Sequence, residues 1–265
     1  MVKMGNNRIM SKILGLALGG GGAKGLFHVG VLTAFERYGI KFGAVAGTSI
    51  GSIVGACYAL NYSSKDILEL IKELGAYKPS FYINAKIKGI SLEKIIERIL
   101  GEKYFCDLKI PFTAVATNID SGRDEYLSSG NLCRALSASS TIVPIYDYVK
   151  IDGKRLIDGG YTNLVPVKAV KNLGAKRVLA IDLSANQNTN ANGVKLLDKV
   201  YPFHKVKIGS RSAEKECADC VFEPNLKGYT MASVNKFDDL YELGYEYAVK
   251  NINEVKEKLK IKNIP

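Results

Sequence analysis

LALGGGGAKGLFHVG, Leu16 to Gly30, sets four consecutive glycines between an apolar run and a helically spaced one. Glycine loses more conformational freedom on folding than any other residue and brings no side chain to a core. So much bare backbone at one point implies that something approaches it closely. Ahead of it, Ile13 to Leu18 is a short apolar run of the buried-strand type. Behind it, Leu26, Val29, Leu32, Ala34 and Phe35 fall at helical spacing. Strand, glycine loop and helix form the opening unit of an α/β fold, with loop amides gathered at a helix N-terminus that favours an anion.

Working outward, the alternation repeats. Phe42 to Ala46 reads as a second strand, Ile50 to Leu60 as its helix, and Ser63-Ser64-Lys65-Asp66 as a capping-box-like start of a helix to Leu74. Lys78 to Gly89 is basic and loop-like, and Ser91 to Leu100 is amphipathic. PFTAVATNI (Pro111 to Ile119) alternates as a strand with EYLSS as its neighbour, and Leu132 to Ser139 reads as a helix. YVKIDGKRLIDGG predicts a hairpin turning at Asp152-Gly153. A helix from Val165 to Leu173, with Pro166 in its first turn, leads into RVLAIDL, a buried parallel strand by composition. The tail from Asp238 to Lys260 reads as one long helix. No linker divides the chain, so residues 1–265 are expected to form one domain, with a core at 13–183 and a C-terminal region at 184–265. The expected class is α/β: three layers, α/β/α, around a mostly parallel central sheet.

Bulk composition narrows the function. Of 265 residues, 47% are hydrophobic and 24% charged, as in an ordinary globular protein. The balance of 37 Lys+Arg against 26 Asp+Glu gives +11, which favours anionic partners such as a phospholipid surface. No basic block interleaved with aromatics supports nucleic acid as a partner. Five cysteines, an odd number, argue against a disulfide framework. Cys217 and Cys220 form one CxxC with no second pair or His cluster to complete a zinc site, so neither metal nor cofactor is expected. The N-terminal MVKMGNNRIMSKILGLALGG has no signal-peptide cleavage pattern, which makes cytoplasmic the default expectation. Phe42 to Ser64 carries no charge and has GxxxG spacing, yet its Gly, Ala and Ser content would insert weakly into a membrane. A strand, a turn and a buried helix are expected there instead.

That turn holds the chemistry. GTSIG, Gly47 to Gly51, is a G-x-S-x-G between strand and helix, where flanking glycines allow the sharp bend and Ser49 Oγ projects at a helix N-terminus. A serine hydroxyl requires a base. His28 sits at helix-interior spacing and reads as structural, while His204 lies in YPFHKVK without a loop signature. Asp158 in LIDGG ends a strand, and Gly159 and Gly160 free the backbone for close approach. A Ser–Asp pair needs strong stabilisation of the oxyanion. Gly20, Gly21 and Gly22 can supply amides, joined by Ile50 N–H, with Lys24 adding charge at the rim. Gly20, Gly22 and Gly25 also fit the dinucleotide pattern G-x-G-x-x-G, but the second strand ends in AGTSIG without the required acid. A P-loop fails as well, because Lys24 is followed by Gly25.

With GGGGAKG, GTSIG and DGG in that order, and GVLTAFERYGI, NLVPV and LGAKRVLAIDL around them, the chain resembles the patatin-like phospholipases from Ile13 to Leu183. The resemblance implies a three-layer fold and a Ser49–Asp158 dyad. It also implies an oxyanion hole at Gly20 to Gly22, a structural His28, and lipid acyl-ester hydrolysis without metal. The substrate would be a phospholipid or related lipid ester, met in peripheral contact with an anionic membrane. One departure is SSTIVPIYDYVKIDG ahead of the hairpin, where Pro144 and Tyr146-Asp147-Tyr148 replace the family's aromatic-Pro-Pro. Two alternatives remain: a Ser49–Asp158–His204 triad of the α/β-hydrolase type, and a non-catalytic lipid-binding protein that keeps the fold.

Overall fold

Runs that are apolar on both faces can only be buried between layers, and LGLAL, AVAGT and RVLAI become parallel strands at the centre of a sheet. The structure, a computed structural model, describes residues 13–76, 87–143, 145–185 and 213–261. Strands β1 (Leu14–Leu18), β2 (Ala44–Thr48), β3 (Phe112–Asn118), β7 (Arg177–Ile181) and β8 (Cys220–Phe222) run parallel in the order β3-β2-β1-β7-β8. At the β3 end the sheet turns antiparallel through β4 (Arg123–Leu127) and the hairpin β5 (Val149–Ile151) and β6 (Lys154–Asp158). Asp152 and Gly153 form that hairpin's turn with φ of 48° and 78°, both left-handed, as a two-residue turn of matching twist requires.

Side chains alternate across the sheet, and the two faces meet different layers. Leu16 and Leu18 enter a large cluster with α1 (Gly25–Arg37) and α2 (Ile50–Ala59), joined by α3 (Ser64–Ala76) and α4 (Leu92–Leu100). Ala17, Ala44 and Ala46 face the other way, against Val167 and Val170 of α6 (Val167–Asn172). Helix α5 (Leu132–Ser140) packs beside β3 and β6, and Asn131 caps it by accepting from Arg134 N–H at 2.8 Å. The capping box at Ser63 is formed, with Asp66 N–H on Ser63 Oγ and Ser63 N–H on Asp66 Oδ2, both at 3.2 Å.

The charge-free segment from Phe42 resolves into β2, a sharp elbow and α2. Among the described residues no helix is long and apolar enough to cross a membrane. The tail differs from its reading as one helix: α7 (Phe237–Lys250) and α8 (Ile252–Lys258) are separated at Asn251. Asn251 Nδ2 donates to Tyr247 O at 2.7 Å, a side-chain bond of the kind that competes with a regular helix. Most of the Lys78–Gly89 loop, and His204, lie outside the described residues.

One pairing pattern positions the site. β4 occupies one edge of β3 from Ala114 to Asn118, so β2 and β6 must share the opposite edge. β2 pairs parallel up to Thr48↔Val115, and β6 arrives antiparallel at Asp158↔Ala116. The C-terminal ends of β2 and β6 therefore meet head to head at the middle of β3.

Candidate active site

Ser49 follows Thr48 at that meeting point with φ 54° and ψ −128°, a conformation that L side chains rarely adopt. The bend is tight enough that a Cβ at Gly47 would lie 2.2 Å from Gly51 O, and one at Gly51 2.3 Å from Leu18 O. Both positions of the motif are thus fixed by close backbone approach. Ser49 Oγ donates to Asp158 Oδ2 at 2.6 Å, and Asp158 Oδ1 accepts Gly160 N–H at 2.7 Å. Asp158 is buried, and a Cβ at Gly159 would sit 2.2 Å from Val115 O. The two residues singled out in GTSIG and DGG are in direct contact.

The glycine loop lies against them. Gly20's Cβ position is 3.2 Å from Ser49 Cβ, and Gly25's is 2.3 Å from Ile50 Cγ1, so α1 and α2 start side by side. Gly19 N–H donates to Ile181 O at 3.0 Å and Gly20 N–H to Leu164 O at 3.1 Å. Gly20's amide is therefore committed to the protein, which corrects its reading as an oxyanion donor; its part is to let the loop pass close to Ser49. Ala23 N–H donates to Met231 O at 2.9 Å. Gly22 takes φ +58° and its Cβ position meets Met231 O at 2.7 Å, so only glycine fits. The amides of Gly21, Gly22 and Ile50 have no acceptor among the described residues.

Lys24 also departs from its reading as a charge at the rim. It is 3% exposed and its Nζ donates to Leu183 O at 2.8 Å, tying the loop to the chain just past β7. Burial pulls its pKa down to about 8, opposed in part by the charge of Asp182. His28 is fully buried in α1, and its Nε2–H donates to Gly19 O at 2.8 Å. It braces the glycine loop from beneath. Cys217 is exposed and Cys220 is buried on β8, both as free thiols.

Ser49 opens into a cavity of about 430 Å³, within the range of small-ligand sites. Gly22, Ile50, Leu26, Ile53, Ile71, Leu92 and Phe237 contribute to its wall, with Ser49, Ser140 and Tyr146 as hydroxyl-bearing side chains. Ile142, Ile145 and Met231 also line it while remaining 38%, 37% and 62% exposed, which places them at the mouth. Sequence reasoning flagged the Pro144 loop but not this wall; Pro144 itself lies outside the described residues. It also missed Ser139, whose hydroxyl accepts Ser49 N–H at 3.0 Å. A serine inside a helix carries no local signal for such a contact.

Solved structures with this arrangement of sheet and helices exist. VipD from Legionella pneumophila superposes with a TM-score of 0.53 at 13% identity over 92% of this chain and 67% of its own. Human GIVD cytosolic phospholipase A2 gives 0.51 at 9% identity over 94% of this chain and 59% of its own. At such identity the likeness shows the fold alone, a three-layer α/β sandwich. The sequence profile of the patatin-like phospholipases matches residues 16–171. This chain belongs to that family. Among curated relatives, human patatin-like phospholipase domain-containing protein 6 is 31% identical over 88% of this chain and 20% of its own length. Lysophospholipase NTE1 of Meyerozyma guilliermondii is 28% identical over 91% and 19%. The chain thus spans about a fifth of the curated relatives it matches.

Proposed function

We propose that this chain hydrolyses fatty-acyl esters of phospholipids or related lipids through Ser49 and Asp158, without a histidine. The observation that carries the reading is the 2.6 Å Ser49–Asp158 bond at the floor of a hydrocarbon-lined cavity. Ser49 Oγ attacks the ester carbonyl, and its proton passes to Asp158 Oδ2. Asp158 Oδ1 is held by Gly160 N–H, so the carboxylate presents its other oxygen to the serine. The oxyanion that forms is received by the N–H groups of Gly21, Gly22 and Ile50, each such donor contributing roughly 3 kcal/mol. Collapse releases the alcohol, which takes the proton from Asp158. Asp158 then removes a proton from the water that attacks the acyl-enzyme and returns it to Ser49 Oγ as the fatty acid leaves. The acyl chain lies in the cavity, and family membership together with the names of the relatives supports a lipid as its source.

The exposed Ile142, Ile145 and Met231 at the mouth, and a net charge of +11, support peripheral contact with an anionic lipid surface. Five free cysteines fit a cytoplasmic setting. Turnover of p-nitrophenyl esters and labelling by a fluorophosphonate probe test the dyad. Ser49→Ala and Asp158→Asn are each expected to lower turnover by about 10³-fold or more, while His204→Ala leaves it near wild type. Full activity in either dyad variant overturns the assignment, and a collapse in His204→Ala restores the triad.

A further inference from the structure

The positive-φ conformation of Ser49 is strained for an L residue and persists only where its surroundings hold it. The holding group is on helix α5. Ser139 is fully buried, and its Oγ accepts Ser49 N–H at 3.0 Å while its O–H donates to Val115 O at 2.6 Å. Val115 is the register partner of Thr48, the residue before Ser49. The hydroxyl thus spans from strand β3 to the backbone of the elbow. Two residues further on, Thr141 O accepts Asp158 N–H at 2.9 Å. Thr141 is itself tied back to Ser137 O by its Oγ1 at 2.7 Å. One short stretch of chain therefore grips the backbone of both Ser49 and Asp158, one from a side chain and one from a carbonyl.

We propose that Ser139 is a positioning residue: its hydroxyl fixes the elbow so that Ser49 Oγ meets both Asp158 and the incoming carbonyl. The inference rests on Ser49 being the nucleophile. Without the hydroxyl, the part-buried Ser49 N–H loses its acceptor and Val115 O loses a donor. Relief comes from rotation of the elbow, which carries Ser49 Oγ away from its line of attack. A misplacement on the order of 1 Å can cost about 10²-fold in rate with little change in ground-state binding.

The experiment measures kcat and KM on a soluble p-nitrophenyl ester, the fluorophosphonate labelling rate, and Tm. Ser139→Ala is expected to lower kcat and the labelling rate together by about 10- to 100-fold, with KM changed less than about two-fold. Ser139→Thr keeps the hydroxyl and is expected to label faster than the isosteric Ser139→Val by at least about tenfold. That pair decides the matter even if the alanine variant folds poorly. A lowered Tm with wild-type labelling in Ser139→Ala, or equal rates in the Thr and Val variants, would overturn the inference. Ser49→Ala in the same assay isolates the premise: retained labelling there removes the nucleophile itself, whereas lost labelling leaves Ser139 to be judged alone.

Discussion

Ser49 and Asp158 are legible residue by residue because each is marked by its own neighbours, Gly47 and Gly51 around the one and Gly159-Gly160 after the other. The residues that steady them are not. Lys24 reads as a surface charge until Leu183 O is brought to its Nζ from 159 positions away. Gly20 reads as an amide donor until Leu164 O takes that amide. His28 gives a measurable consequence. Burial lowers its pKa from 6.5 to about 4, with the bond to Gly19 O opposing the shift. Between those values the unfolded chain takes up a proton that the folded chain refuses, so stability falls as pH drops from 6.5 to about 4. A shift of that size corresponds to about 3 kcal/mol at most. His28→Gln, which can still donate to Gly19 O, is expected to flatten the Tm–pH profile across that window. An unchanged slope would place the acid sensitivity elsewhere.

At the scale of elements, strands and helices follow the sequence closely where apolar runs are bounded by glycine, Asn or Asp. One exception is β8 (Cys220–Phe222), which the sequence reading did not propose; another is the tail, where periodicity continues through Asn251 although its side chain interrupts the helix. How the tail packs was hidden for another reason. α7 crosses α1 at two facing glycines: a Cβ at Gly30 would lie 2.0 Å from Tyr241 O, and one at Gly244 2.2 Å from Phe27 O. Neither contact yields, because each is with backbone. Gly244→Ala is therefore expected to cost about 1–3 kcal/mol through overpacking, seen as a lower urea midpoint. Because α1 carries the glycine loop at its N-terminus, the same variant is expected to slow ester turnover. A fully stable Gly244→Ala protein would mean the helices can part without loss.

For the whole molecule, the proposed contact with a lipid surface joins a net charge of +11 to an apolar mouth. Attraction between +11 and an anionic surface is screened as the Debye length shrinks from about 10 Å at 0.1 M salt to about 3 Å at 1 M. Binding to vesicles containing an anionic phospholipid is accordingly expected to exceed binding to zwitterionic vesicles and to fall several-fold with salt. Met231→Asp places a charge at the exposed mouth and is expected to weaken vesicle binding at every salt concentration. Salt-independent binding, or binding indifferent to Met231→Asp, would remove the mouth from the docking surface.

The sequence by itself determined the alternation of strands and helices, the elbow at Ser49 and the glycine-freed turn at Asp158, because each depends on backbone preferences within a few residues. It also carried the family, since three short motifs in fixed order are a one-dimensional signal. Tertiary structure alone decided which loop amides have no acceptor among the described residues, that Lys24 is buried, and that Ser139 Oγ meets Ser49 N–H. The Lys24 contact depends on β1 pairing with β7, and the Ser49–Asp158 contact on β2 and β6 sharing one edge of β3, which brings Thr48 and Asp158 to adjacent register positions across more than a hundred residues. Hydrogen-bond partners that distant leave no trace in local pattern; they exist only once the sheet has closed.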